Sequence, residues 1–260
     1  MAHFFAPPGV YTSCGIYTVG HLVLFLLTLF FLALALWRAR HLSPEAVRQR
    51  VLVIGIWLWV LEICKIAFVL LVVRSGNPNE LVPLYFCSMV LYTAPLSAKG
   101  RGKWRTVGDV FLTSGGIVAG LGFLLFPTTS LPRYPFFHFV SWHSFFLHGA
   151  MAYLGILLLW RGGVRLQKSH APYAFWPISA MCALAYLFNT LWDMTHPDLA
   201  VANLMFISKD FPSTPVSVLY RLCGPAFAVV MWLLQALVPF WGVFLALRCI
   251  GSSSDRKYGE

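Results

Sequence analysis

The chain has 260 residues, 59% of them hydrophobic and 11% charged, with a formal net charge of +10. A soluble domain carries roughly a quarter charged residues, so this composition excludes a water-facing globule and makes lipid the solvent for most of the chain. The excess of base would suggest nucleic acid in a soluble protein. Here it is gathered in short loops, and no nucleic-acid partner is expected.

Residues 1–18 have neither a basic n-region nor a small-residue cleavage site, so they read as an extracytoplasmic N-terminus and not as a signal peptide. Seven apolar stretches follow, at approximately 19–38, 51–73, 78–98, 107–126, 135–160, 173–193 and 222–248. Each is near the length needed to cross a hydrocarbon core of about 30 Å. Asn77-Pro78 followed by Glu80 predicts an N-cap, a proline at the first helical position and a capping-box acid at the start of the third span. Pro135 opens the fifth in the same manner. The fourth contains Gly116-xxx-Gly120, with Gly115 and Gly122, small residues that let helices approach closely. The connections are short except for 194–221, a half-apolar segment in which LAVANLMFI is the part expected to dip into the membrane.

Lysine and arginine alternate in density along the connections. Loops 38–50 and 99–107 have four each, and loop 161–172 and the tail 249–260 with its border at Arg248 have three each. Arg74, Arg133, Lys209 and Arg221 are alone on the other face. The positive-inside rule then places the N-terminus outside and the C-terminus in the cytosol. The predicted fold is an all-α polytopic membrane protein of seven transmembrane helices over 19–248, in a bacterial-type inner (cytoplasmic) membrane.

Ionisable and polar groups inside lipid are expensive and mark function. Glu62 and Lys65 are three residues apart and share a helix face, as a neutralised ion pair or as an acid that orients a partner. His143 and His148 are about 140° apart around the fifth span and cannot both face one partner. They also do not form the i, i+4 pair of a metal-binding helix, so no metal and no cofactor is expected. Ser144 and His148 share a face. At about 1.5 Å per residue, Cys87 is about 13 Å from the outer end of its span, His143 about 12 Å, Glu62 about 18 Å and His148 about 20 Å, with Asn189 close to the outer end. One polar cavity in the outer half collects them all. A thiol becomes a useful nucleophile only with a base or a positive field beside it, which a histidine at similar depth could supply; the alternative is a thiol packed in the bundle as a small hydrophobe. Cys14 and Cys223 both fall outside and could pair.

The segments VPLYFCSMVLY, GGIVAGLGFLLFPTTSLPRYPFFHF and FFLHGAMAYLGI, with Asn189 and ANLMFI, resemble the YwaF family of integral membrane proteins over roughly residues 50–245. The family's Leu-Pro-Leu-x-x-Cys element corresponds to Val82, Pro83, Leu84 and Cys87, its fifth-span histidine to His148, and its Asn-Tyr-Met-Phe-Leu element to Asn203–Ile207. That family includes a eukaryotic transmembrane protein regarded as a cysteine-dependent acyltransferase making ether phospholipids. The resemblance implies an acyl-accepting thiol at Cys87 and a general base at His148, whereas depth favours His143. The expected activity is phospholipid acyl transfer or lipid hydrolysis on a membrane phospholipid or lysophospholipid. Asn189 would stabilise the oxyanion, and Glu62, Lys65, Ser144 and Asn203 would line the substrate site. The alternative is a small-solute or lipid transporter using the same cavity. Oligomeric state is left open.

Overall fold

The computed structural model describes residues 3–212 and 214–257, with side chains as far as residue 250. Arg256 and Lys257, assigned above to the cytosolic tail, lie outside the described side chains.

Helix α1 is Val19–Ala39, started by Thr18, whose hydroxyl accepts from the His21 N–H at 3.3 Å. Helix α2, Pro44–Phe68, starts with Ser43 as cap and proline at its first position. It runs on through a π turn, Val69–Val73, and stops where Arg74 turns left-handed at φ 54°.

The third apolar stretch departs from expectation. Asn77 does cap a helix, its side chain accepting from the Asn79 N–H at 3.0 Å, but this helix, α3, is only Pro78–Leu81. Glu80 closes no capping box; it pairs with Arg133. A proline disfavours the α region for the residue before it. Val82 accordingly turns extended (φ −95°, ψ 115°) ahead of Pro83, and regular α-helix resumes only at α4, Met89–Lys99.

Helix α5, Lys103–Phe111, a π turn at Leu112–Gly116 and α6, Ile117–Leu125, form one rod. Helix α7, Phe139–Trp160, is capped by His138, so Pro135 precedes it by a turn instead of opening it. Helix α8, Ala171–Thr195, follows a 3-10 turn, and α9, Pro215–Cys223, leads into α10, Phe227–Lys257.

Among the described residues six stretches are long and apolar enough to cross a membrane: Val19–Ala39, Pro44–Val73, Lys103–Leu125, Phe139–Trp160, Lys168–Thr195 and Pro215–Ile250. Among the described residues there is no strand.

Side-chain bonds between distant residues sort the loops into two ends. At one, Arg161 donates to the Leu42 carbonyl, and Arg48 binds Ser97 and Asp109. The three basic loops therefore meet, and we call this the basic end. At the far end Glu80 pairs with Arg133, Asn79 binds Val201 and Asn203, and His138 binds the Ala6 carbonyl.

Between the ends, the glycines of α6 allow the close approach their spacing suggested. A Cβ on Gly120 would stand 2.6 Å from the His148 carbonyl oxygen, and one on Gly155 would stand 2.3 Å from that of Leu112. One core cluster runs from Val47 and Leu58 through Val90, Leu112 and Leu154 to Leu204. The outward faces expose Leu22, Phe30, Leu71, Trp176 and Val238, as a lipid-facing surface does. Cys14 and Cys223 form no disulfide with each other, and the Cys14 sulfur lies beside the Thr18 hydroxyl instead.

Candidate functional site

The break after α3 fixes where Cys87 sits. Helix α4 runs antiparallel to α2: Arg48 reaches Ser97, a Cβ on Gly55 would meet Ala94, and Trp59 Nε1 donates to the Leu91 carbonyl at 2.7 Å. Four residues before Leu91, Cys87 is about 6 Å nearer the far end, the level of Glu62 and Ile63 on α2. It occupies the turn just before the N-terminus of α4, where the helix macrodipole is positive. Among the described residues the N–H groups of Phe86 and Ser88 donate to nothing. Non-helical backbone at membrane depth is tolerated only where protein buries it or a polar cavity meets it.

Glu62 is 3% exposed and divides its two oxygens. Oε1 accepts from Lys65 Nζ at 2.6 Å, and Oε2 lies 3.4 Å from His143 Nε2, a buried atom with no hydrogen bond of its own. Cys87 is within electrostatic range of both Glu62 and Lys65. Three elements thus bring together a carboxylate, an ammonium, an imidazole and a thiol.

His148 faces α6 and makes no contact with Glu62, as its rotation around α7 requires, while remaining within electrostatic range of His143. Its ring stacks on Phe123 of α6 with centroids 3.7 Å apart, and Nδ1 binds the Ser144 carbonyl at 2.7 Å. That bond puts the proton on Nδ1 and leaves the lone pair on Nε2. Ser144 thus contributes its carbonyl to orienting His148.

Asn189 and Asn203 hold the long loop between α8 and α9. Asn189 donates to the Leu204 carbonyl and Ser208 Oγ, and its Oδ1 accepts from the Leu204 N–H at 2.9 Å. Both of its N–H donors are therefore occupied. Asn203 accepts from the N–H groups of Ser208 and Lys209 and donates to the Lys209 carbonyl. Leu204, Met205 and Ile207 are buried in the main core, so this stretch does enter the bundle. Met205 and Phe206 are both left-handed (φ 59° and 49°), and Gln235 of α10 holds the Met205 carbonyl at 3.1 Å.

Sequence reasoning missed Asn79 and Tyr85. The Asn79 amide joins α3 to the loop, through the Val201 carbonyl and the Asn203 N–H, and Tyr85 hydrogen-bonds to it and meets the Phe206 ring. The Asn at the second helical position of α3 was visible, but a cap and its partner across the chain are not distinguishable by spacing. Among the described residues no group of three His, Cys, Asp or Glu is placed to hold a metal ion.

A bundle of apolar helices with a polar cluster at membrane depth defines an integral, multi-pass membrane protein. Residues 16–245 match the TMEM164 family, and the chain belongs to that family. No curated protein and no solved structure matches it.

Proposed function

We propose that this chain is a membrane-embedded acyl-lipid enzyme in which Cys87 is the nucleophile. The observation that carries this reading is the helix break that sets Cys87 before the N-terminus of α4 at the level of the Glu62–His143 pair. The resemblance to a cysteine-dependent acyltransferase supports it independently.

In this mechanism Glu62, neutralised on one oxygen by Lys65, holds a proton of His143 at Nε2, and Nδ1 takes the thiol proton. The sulfur attacks the ester carbonyl of a donor phospholipid. As the carbon–oxygen bond breaks, the imidazolium returns its proton to the departing lysolipid hydroxyl and a thioester remains. An acceptor hydroxyl then attacks the thioester, gives its proton to His143 and releases the thiolate; water in its place makes the protein a hydrolase. The unoccupied N–H groups of Phe86 and Ser88 serve as the oxyanion donors, because the Asn189 amide is engaged in the loop. Asn189, Asn203 and Asn79 position that loop, and His148 shapes the α6 side of the site.

Residues 78–99 complete a seventh crossing in this reading. They join the far end, where Glu80 meets Arg133, to the basic end, where Ser97 meets Arg48. The basic end then faces the cytosol, with the N-terminus outside.

The test uses the full chain in nanodiscs with a phospholipid bearing an activated-ester acyl label, with and without lysolipid acceptor. Labelling should be lost in Cys87→Ala and His143→Ala and retained in His148→Ala. Loss in His148→Ala with retention in His143→Ala would transfer the base to His148. Labelling unchanged in folded Cys87→Ala would end the enzyme reading. It would favour transport instead, for which the buried Glu62–Lys65–His143 cluster is the specific observation.

A further inference from the structure

At the basic end, some distance from the Cys87 cluster, α2, α4 and α5 border a half-open cavity of about 360 Å³ whose lining includes Arg48, Gln49, Leu52, Ala98, Lys99 and Arg105. We propose that it is a binding site for a phosphoryl group carried on an anionic headgroup. The proposal does not depend on the acyl-transfer reading.

Its lining is built as well as basic. Arg48 forms the inner wall, fixed by a bidentate pair with Asp109 and by bonds to the Ser97 hydroxyl and carbonyl. Arg105 is held by its Nε, which donates to the Gly100 carbonyl at 3.1 Å, leaving its two terminal nitrogens for a ligand. Gly100 makes that return possible, since a Cβ there would stand 2.2 Å from the Leu96 oxygen and 2.9 Å from the Arg105 nitrogen.

Among the described residues neither Lys99 nor Arg105 has a carboxylate partner, and Glu45 is the one acid on the lining. The N-terminus of α2, at Pro44, lies on the lining and adds positive field. Leu52 and Ala98 give it an apolar shoulder on the membrane side. A planar guanidinium with two free donors, an ammonium and an apolar shoulder suit a phosphate attached to glycerol. Basic pockets between helices at a membrane surface bind such headgroups.

Positive-inside loops are basic whether or not they bind anything, so the test separates pocket from loop. The full chain is placed in nanodiscs of neutral phosphatidylcholine, alone, with phosphatidylglycerol added, or with inorganic phosphate titrated in. Binding is read by thermal stability and by native mass spectrometry of retained lipid.

Phosphatidylglycerol is expected to stabilise the wild type, and the Lys99→Gln/Arg105→Gln variant should need on the order of tenfold more of it, the loss of a charge-assisted hydrogen bond to the phosphate. Arg101→Gln/Lys103→Gln removes the same charge from the same loop outside the cavity lining and should bind as wild type. Stabilisation by inorganic phosphate alone would keep the site and make its ligand soluble. Equal losses in both double variants, or no stabilisation by either source, would overturn the proposal.

Discussion

The residue that most constrains the centre of the bundle is Glu62, because it serves two partners at once. A buried carboxylate left without its cation, or the reverse, costs about 3–5 kcal/mol. Glu62→Gln should therefore lower thermal stability markedly, by leaving Lys65 with no carboxylate at that depth. The double variant Glu62→Gln/Lys65→Met should regain stability while staying inactive toward the acyl probe, because His143 still lacks its carboxylate. Recovery of both together would reduce Glu62 to a structural role. At the far end, His138 offers a pH handle. Nδ1 accepts from the Val140 N–H at 3.1 Å and Nε2 donates to the Ala6 carbonyl at 2.9 Å, an arrangement that only the neutral ring allows. Burial pushes its pKa below the ordinary 6.5. The unfolded chain consequently takes up a proton before the folded one, so stability falls as pH drops below about 6.5. A melting series from about pH 7 to 5 should show that slope, and His138→Asn, which can still cap α7, should flatten it. An unchanged slope would assign the effect to another group.

Among the elements, the broken third stretch is where composition and stereochemistry conflict. Hydropathy alone reads 78–98 as one helix, since Val82, Leu84, Tyr85 and Phe86 are as apolar as their neighbours. The pyrrolidine of Pro83 decides otherwise, and the sequence displays it openly. What spacing could not reveal is that the freed backbone would be supported by Tyr92, which donates to the Pro83 carbonyl, and by Asn79 on the preceding turn. The Glu62–Lys65 pair was legible because it is local, whereas the Glu62–His143 approach needed the antiparallel register of α2 and α7. Pro83→Ala relaxes the break. It should leave the protein folded, raise helicity by circular dichroism and abolish labelling at Cys87, because continuous helix would use the N–H groups of Phe86 and Ser88. Labelling that survives with added helicity would separate the break from the chemistry. The α6–α7 contact offers a packing test with its own control. Gly155→Ala drives a methyl into the Leu112 carbonyl and should cost about 1–3 kcal/mol. Gly122→Ala meets nothing within 4 Å and should be neutral or slightly stabilising.

For the whole molecule, the number of crossings turns on the same 22 residues between Pro78 and Lys99. Helix α4 has 11 residues, about 16 Å of rise and roughly half a hydrocarbon core. The short helix and the extended residues before it must supply the remainder. If they do, the chain crosses seven times and its ends lie on opposite sides; with six crossings the ends lie on the same side. The loop bonds favour seven, since Asn79 is tied to the 201–203 segment and Ser97 to Arg48 at the other end. Single cysteines at Ser169 and Asp198, both exposed, sample the two ends in a variant whose native cysteines are replaced by alanine. In right-side-out vesicles a membrane-impermeant maleimide should label Asp198→Cys and spare Ser169→Cys until the membrane is permeabilised. Tags on the two termini should then differ in protease sensitivity, the N-terminal one being cut from outside and the C-terminal one protected. Termini cut together would mean that 78–99 re-enters without crossing. Such an outcome would leave Cys87 at the same level of the bundle but require the 100–102 connection to lie outside, against the bond from Arg48 that places it among the basic loops.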